Sequence, residues 1–161
     1  MAGVILDGLD DVDALPGADL GASGWRSVDQ ARIAGFAEVT EDRTPIHLDR
    51  DRALAAGLPS TIAHGLLTLS LGPALLGDLL TIGDGLTGLN YGFDKVRFVR
   101  PVPSGSRLRL RAEVAAVAAS GDERRVSIAE TFELEAAEPE PACFALAVLH
   151  LMPLSISANV R

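Results

Sequence analysis

Hydrophobic residues follow two different spacings along the chain. Before about residue 80 they recur every three or four positions, which is typical of helices, and after Gly88 they alternate with polar residues, which is typical of strands. The first part predicts helices over 28–40, 50–56 and 62–80. The second part predicts a run of antiparallel strands, over 87–99, 106–118, 124–135 and 142–152.

The predicted helix ends rest on capping residues. Ser27 and Gln30 have the spacing of a capping box, with Ser27 as the N-cap and Gln30 reaching back to it. Asp49 is expected to cap the second helix, and Gly57 to end it. Pro45 disfavours a helical conformation at the preceding residue, so the segment between the first two helices is predicted to be an irregular loop.

The stretch 62–80 is hydrophobic on nearly every side and is long enough to raise the question of a membrane span. It contains His64, Pro73 and Asp78, and no positively charged flank sets an orientation. We therefore predict a buried central helix, with no membrane span. Because 142–152 is hydrophobic on both faces, that strand is expected to be central or to pack against a partner.

Together these elements predict an α+β fold in which an antiparallel sheet wraps one helix. A single sheet covers such a helix poorly, so we expect two copies to join at a sheet edge as a homodimer with a continuous sheet. The length of 161 residues suits a single domain over 1–161, in which 1–20 form an N-terminal extension.

Composition narrows the classes of function. A net charge of −8 argues against general nucleic-acid binding. Cys143 is the only cysteine, which argues against an internal disulfide framework. The first seventeen residues contain no Lys or Arg, so they do not form a secretory signal. These features predict a cytoplasmic protein.

Two segments carry candidate chemistry. Asp42 and His47 lie five residues apart on a loop that Pro45 constrains, so a carboxylate and an imidazole could converge on one small molecule. The alternative is a solvated loop whose aspartates cap local N–H groups. At the start of 62–80, the backbone N–H of Gly65 could polarise a carbonyl oxygen. The alternative there is a packing glycine beside a core histidine, His64.

The same segments resemble a known family, the MaoC-like (R)-specific enoyl-CoA hydratases with their hydratase-2 motif. Residues 90–98, NYGFDKVRF, followed by Pro101 and Val102, are similar to the NodN-like branch of that family. The resemblance runs from about Gly21 to the last strand. The residues that match the motif are Phe36, Ala37, Thr40, Asp42, Pro45, Ile46, His47, Asp49, Ala53, Ile62, Ala63, His64 and Gly65.

The resemblance implies a hot-dog fold, two subunits joined edge to edge, and syn addition of water to a trans-2-enoyl thioester, or the reverse. It makes Asp42 and His47 the catalytic pair that holds one water, and Gly65 the donor to the thioester oxygen. It implies no metal or redox cofactor, since coenzyme A or phosphopantetheine enters as part of the substrate. The implied partner is an acyl-CoA or an acyl carrier protein.

Two positions depart from the family pattern, which often has glycine at Glu41 and asparagine at Thr44. Lys95 and Arg97 belong to a basic patch that could receive coenzyme A phosphates or an acidic carrier protein, whereas the neighbouring arginines of 107–111 are expected on a solvated sheet face. The predicted substrate-binding residues are Thr44, Ile62, Ala63, His64, Asn90, Tyr91, Lys95 and Arg97.

The sequence is also compatible with a thioesterase, a non-catalytic binding protein or a metal site. A hot-dog thioesterase would place its carboxylate on the central helix, where the chain offers only Asp78. A non-catalytic acyl-thioester-binding protein of the same fold is a further alternative. A metal site could be assembled from His47, Asp49 and His64, although nothing else in the sequence supports it. Acyl length, branching, carrier and direction of reaction are left open.

Overall fold

The computed structural model describes residues 3–154. The two ends of the predicted domain, 1–2 and 155–161, lie outside them. The helices are α1 (Leu9–Asp13), α2 (Gln30–Thr40), α3 (Pro45–Leu48), α4 (Arg50–Ala55), α5 (Gly65–Ser70) and α6 (Gly72–Leu76). The strands are β1 (Val4–Leu6), β2 (Asp19–Ala22), β3 (Arg26–Val28), β4 (Leu80–Ile82), β5 (Leu86–Phe98), β6 (Ser106–Ser120), β7 (Glu123–Leu134) and β8 (Glu140–Pro153).

One antiparallel sheet dominates the molecule. Its strands follow the order β2–β6–β7–β8–β5, and β3 also pairs with β6. The last strand of the chain is therefore central, as its two hydrophobic faces predict. β5 lies at an edge of this sheet and exposes large side chains there, including Leu89, Tyr91 and Phe98.

The inner face of the sheet packs on α5 and α6. On β7, even-numbered residues are buried and odd-numbered residues are more exposed, so one face meets the core. Leu67, Leu75 and Phe132 belong to the same buried cluster as the inner residues of β6 and β8. This arrangement confirms the predicted α+β fold, with a sheet around central helical segments.

The predicted helix over 62–80 is wrong in its extent. The chain is extended at Ile62, which bridges to Pro103, and the helix begins only at Gly65. The helical path is interrupted at Leu71 and resumes with Pro73 in the first turn of α6. Neither piece is long, and no helix in residues 3–154 has the length and hydropathy that a membrane-spanning helix needs.

Two local predictions also need correction. Ser27 lies in β3, and the N-cap of α2 is Asp29, whose carboxylate accepts a hydrogen bond from the Arg32 amide. The expected irregular loop contains a short helix, α3, because Pro45 is well suited to a first helical turn. Asp49 caps α4 as predicted, accepting from the amides of residues 51 and 52.

The first elements that the structure describes, β1 and α1, join the rest of the fold. β1 pairs in parallel with β4, which follows α6. Leu6 and Val12 are fully buried in the main core cluster. Residues of the predicted N-terminal extension therefore contribute to the hydrophobic core.

Candidate active site

The loop between α2 and α3 turns sharply at Glu41. Its φ of 60° lies in the left-handed region, which glycine adopts freely and other residues adopt at a cost of ~1 kcal/mol. This conformation gives a physical reason why the family that the sequence resembles often has glycine at the position of Glu41. The turn directs the next residues, including Asp42, towards the segment that precedes α5.

Hydrogen bonds connect α2, α3 and the segment 61–64 next to this loop. The Gln30 side chain of α2 donates to the His47 carbonyl over 2.9 Å and accepts from the Thr61 hydroxyl. The Ile62 amide donates to the Ile46 carbonyl over 3.2 Å. α3 is therefore held against the segment 61–64 by both side-chain and backbone hydrogen bonds. Sequence reasoning placed Gln30 in a capping box and missed this role.

Asp42 presents a carboxylate that is held from one side. Its Oδ1 accepts hydrogen bonds from the Thr44 hydroxyl at 2.6 Å and from the Thr44 amide at 3.2 Å. These two bonds, with a smaller contribution from the nearby imidazoles, lower the pKa of Asp42 below its usual range. Asp42 is therefore ionised at neutral pH. The Thr44 hydroxyl donates a side-chain hydrogen bond to this carboxylate, at the position where the family often has the side-chain amide of asparagine.

His47 is buried, and its orientation is fixed by the backbone. Its Nδ1 lies 2.8 Å from the Ile62 carbonyl oxygen. Because a carbonyl can only accept, Nδ1 carries the proton in the neutral ring, and Nε2 keeps its lone pair. The backbone therefore leaves Nε2 as the nitrogen that can accept a proton.

His64 supports both members of the pair. Its Nε2 donates to the Asp42 backbone carbonyl over 2.9 Å, and its ring stacks on that of His47 with centroids 3.7 Å apart. Phe36 packs on the same ring, with a centroid distance of 5.0 Å. His64, which is predicted to bind substrate, therefore contacts both the Asp42 backbone and the His47 ring.

Asp42, His47 and His64 form a compact group. One carboxylate oxygen and one nitrogen from each ring lie within 4.8 Å of one another. A water that makes two hydrogen bonds of ~2.8 Å can span such a distance. The group also has the composition of a metal-binding set, with Asp42 in place of the Asp49 considered from the sequence. However, one nitrogen of each ring is already engaged by a backbone carbonyl.

A cavity of about 290 Å³ opens beside His47 and the start of α5. Ile62 and Ala63, which are predicted to bind substrate, line it together with Gly65, and Phe98 of β5 closes one side. As the first residue of α5, Gly65 has no acceptor for its N–H within the helix. A Cβ at this position would lie 3.0 Å from the Phe98 ring, so the glycine keeps the approach open.

The predicted binding residues of β5 lie elsewhere in the single chain. Asn90 lines a second cavity, whereas Tyr91 is exposed between Arg125 and His150. Lys95 and Arg97 line a shallow depression on the outer sheet face. The structure therefore brings Thr44, Ile62, Ala63, His64 and Gly65 together with the Asp42–His47 pair, but not the four residues of β5.

The residues of the competing interpretations have other contacts. Asp78 lies beyond α6 and forms a salt bridge of 2.8 Å with Arg26. Cys143 is buried in the core. Arg107 and Arg109 pair with glutamates on the outer sheet face. Asp78 therefore does not reach the cavity beside His47, which weakens the thioesterase alternative.

The geometry defines a class of protein: a hot-dog fold whose acidic and imidazole side chains meet at the start of its central helix. Comparison with known proteins identifies the family. The profile of the MaoC like domain matches residues 11–136. The chain belongs to this family of hydratases and dehydratases, and its lyase-type members include (R)-specific enoyl-CoA hydratase.

Individual relatives agree with this assignment. The chain is 36% identical over 140 residues to 3-hydroxyacyl-thioester dehydratase Z of Mycobacterium tuberculosis, covering 86% of this chain and 92% of that protein. It is 44% identical over 105 residues to nodulation protein N of Rhizobium meliloti, covering 64% and 65%. The (R)-hydratase PhaJ1 of Pseudomonas aeruginosa superimposes with a TM-score of 0.66 at 25% identity, covering 93% and 92%.

Proposed function

We propose that this protein adds water to trans-2-enoyl thioesters to give (R)-3-hydroxyacyl thioesters, and catalyses the reverse dehydration. The observation that carries the proposal is the grouping of the Asp42 carboxylate and the His47 ring, with atoms within 4.8 Å of each other, beside the cavity that Gly65 lines at the start of α5. The dehydratase and hydratase relatives support the same chemistry.

In the forward direction, the pair holds the water and takes one of its protons. The water oxygen bonds to C3 of the enoyl group, and the π electrons move to the thioester oxygen as an enolate. The proton then passes to C2 from the same face, so H and OH add syn and no electrons are gained or lost. Asp42, ionised at neutral pH, and His47 Nε2 are the two groups that can accept and return the proton.

Gly65 supplies the donor for the developing enolate oxygen. Gly65 lines the cavity beside His47, and a fixed backbone donor costs no reorganisation during the reaction. Removal of one such donor commonly lowers the rate by ~10²–10³-fold.

The proposed substrate carries its acyl group on coenzyme A or on an acyl carrier protein, and no separate cofactor is proposed. Lys95 and Arg97 on the outer face of β5 are available for phosphates or for acidic side chains of a carrier. We also propose a homodimer that joins through the β5 edge, which exposes Leu89, Tyr91 and Phe98. In such a dimer the β5 residues of one copy could approach the site of the other.

The proposal is tested by following loss of the conjugated-thioester absorbance with a panel of enoyl-CoAs of increasing chain length. Asp42→Asn and His47→Gln are each expected to lower kcat by ~10²–10⁴-fold, and the double variant to be little worse than either. Asp49→Asn is the matched control, because it removes the same charge nearby while asparagine remains a good N-cap.

Release of free thiol in the same reactions separates hydration from thioester hydrolysis. Thiol release without loss of the enoyl absorbance would favour a thioesterase. Near-wild-type hydration by a folded Asp42→Asn or His47→Gln variant would contradict the assigned pair. If purified protein binds the thioesters but leaves every panel member unchanged, the non-catalytic alternative is favoured.

A further inference from the structure

A second cavity, of about 420 Å³, lies between α6 and β5. Its wall is mainly hydrophobic, formed by residues such as Pro73, Leu76, Phe93 and Leu149. One ionisable side chain, Glu130 of β7, belongs to this lining. The proposed chemistry uses neither the cavity nor Glu130.

The Glu130 carboxyl is buried without a partner. The residue is 4% exposed, and its Oε2 has no hydrogen bond to any residue in the part of the chain that the structure describes. Leaving a buried polar group unpaired is costly, so such a group in a cavity indicates a ligand atom that pairs with it.

Small residues surround this carboxyl. On the inner sheet face, Glu130 is flanked by Ala112 of β6 and Ala145 of β8. On the helix side it meets Gly72, where an added Cβ would lie 3.5 Å from Oε2. None of these three side chains can offer the carboxyl a hydrogen bond.

The distance from the proposed reaction centre fits the tail of a substrate. Gly65 and Gly72 are seven positions apart along the α5–α6 path, which corresponds to roughly 10 Å. The first cavity is lined by Gly65 and Thr68 of α5, and the second by Pro73 and Leu76 of α6, so the two follow each other along this path. A tail that extended from Gly65 in this direction would meet Glu130 part-way along its length.

We infer that Glu130 selects acyl thioesters whose tail carries a hydroxyl group, which pairs with the buried carboxyl. This inference rests on the proposed function, because it takes the Gly65 end of the path as the thioester position. A hydroxyl can donate to the carboxylate and can accept from the carboxylic acid, so it satisfies Glu130 in either protonation state. A plain hydrocarbon tail of the same length would exclude water from the carboxyl without offering it a hydrogen-bond partner.

The test uses two saturated acyl-CoAs of one medium chain length, one plain and one with a mid-chain hydroxyl. Saturated thioesters cannot be hydrated, so titration calorimetry measures binding alone. Wild-type protein is expected to bind the hydroxylated ligand ~10–100-fold more tightly, and Glu130→Leu to lose or reverse this preference. Ser127→Ala, on the opposite face of β7, is the control and should keep the wild-type ratio.

A second measurement covers the case in which Glu130→Leu does not fold. Burial raises the pKa of Glu130 to about 7, so the wild-type preference should grow between about pH 6 and about pH 9 as the carboxylate forms. Glu130→Gln cannot ionise and should show a constant ratio. Cys143 interacts electrostatically with Glu130, and burial raises the pKa of its thiol to about 11. Lys95 and Arg97 line a depression of which Glu130 is also part, so their charges also face this region.

The outcomes separate the two proposals. Equal binding of both ligands by wild-type protein, or an unchanged ratio in Glu130→Leu, would overturn the inference even if the enzyme hydrates enoyl-CoAs. Selective binding that depends on Glu130, in a protein that hydrates no enoyl thioester, would support the inference and contradict the proposed function.

Discussion

Glu130 also makes the stability of the fold depend on pH. Because it is buried, its pKa rises from 4.5 to about 7 in the folded protein. The folded state therefore holds the proton over a range in which the unfolded chain has lost it. Stability is expected to fall as pH rises from about 4.5 to about 7, and to change no further from this cause at higher pH.

The size of the effect follows from that difference in pKa. Each pKa unit corresponds to ~1.4 kcal/mol, so full ionisation of Glu130 costs roughly 3 kcal/mol of unfolding free energy. Glu130→Gln has nearly the same shape and no charge. At about pH 4 the variant should match wild-type protein, and at about pH 8.5 it should be more stable by up to roughly 3 kcal/mol.

Urea denaturation at the two pH values measures this difference, with the slope m as a check that the unfolded states remain comparable. Glu138→Gln, on the exposed turn before β8, is the matched control and should change stability by less than ~0.5 kcal/mol at both pH values. A Glu130→Gln variant whose advantage is the same at both pH values would refute the reasoning, since the effect would not then come from ionisation.

Three further predictions concern assembly, the donor and metals. Sedimentation at micromolar concentration should show a homodimer with an interface above ~2,000 Å², and a stable monomer would contradict the β5-edge assembly. Gly65→Val should lower kcat/KM by at least ~10²-fold. The valine side chain would clash with the Phe98 ring, so a double variant with Phe98→Ala serves as the control. If activity returns in the double variant, the loss comes from this clash and not from a blocked thioester. Dialysis against EDTA should leave hydration unchanged, whereas a loss that added Zn²⁺ or Fe²⁺ restores would assign Asp42, His47 and His64 as ligands.

The sheet could be predicted closely from the sequence. The four long strands lie within two residues of the predicted bounds at each end, because alternation with polar residues defines both their extent and their buried face. The two hydrophobic faces of the last strand also predicted its central position. These features depend on local pattern, which a single sequence displays directly.

The central helix was harder to delimit because hydrophobicity alone does not distinguish helix from buried extended chain. Ile62 and Ala63 are hydrophobic, yet their amides bond to Ile46 and Val102 across the fold. Gly72 and Pro73 mark the interruption between α5 and α6, but a proline also suits the first turn of a helix. The contacts that decide between these possibilities are distant in sequence.

The capping box shows the same limit in one side chain. The spacing of Ser27 and Gln30 fits a local hydrogen bond, but the structure uses Asp29 as the cap and frees Gln30 to bridge His47 and Thr61. Spacing therefore predicted the presence of a helix near this point but not the partner of the residue. Alternation places Glu130 on the buried face of β7, in phase with Ile128 and Phe132, but it does not reveal that the carboxyl lies without a hydrogen-bond partner beside a cavity.

The candidate site works as one unit because backbone carbonyls fix both of its rings. Ile62 sets the tautomer of His47, and Asp42 sets that of His64, so each segment of the candidate site orients a side chain that belongs to another. The His47 and His64 rings stack with their centroids 3.7 Å apart, so the two hydrogen bonds to carbonyl oxygens are mechanically connected. A change that moves the loop at Glu41 would therefore displace the Asp42 carbonyl, the His64 ring and the His47 ring together. For this reason the effects of substitutions in the loop and at the start of α5 should not add independently.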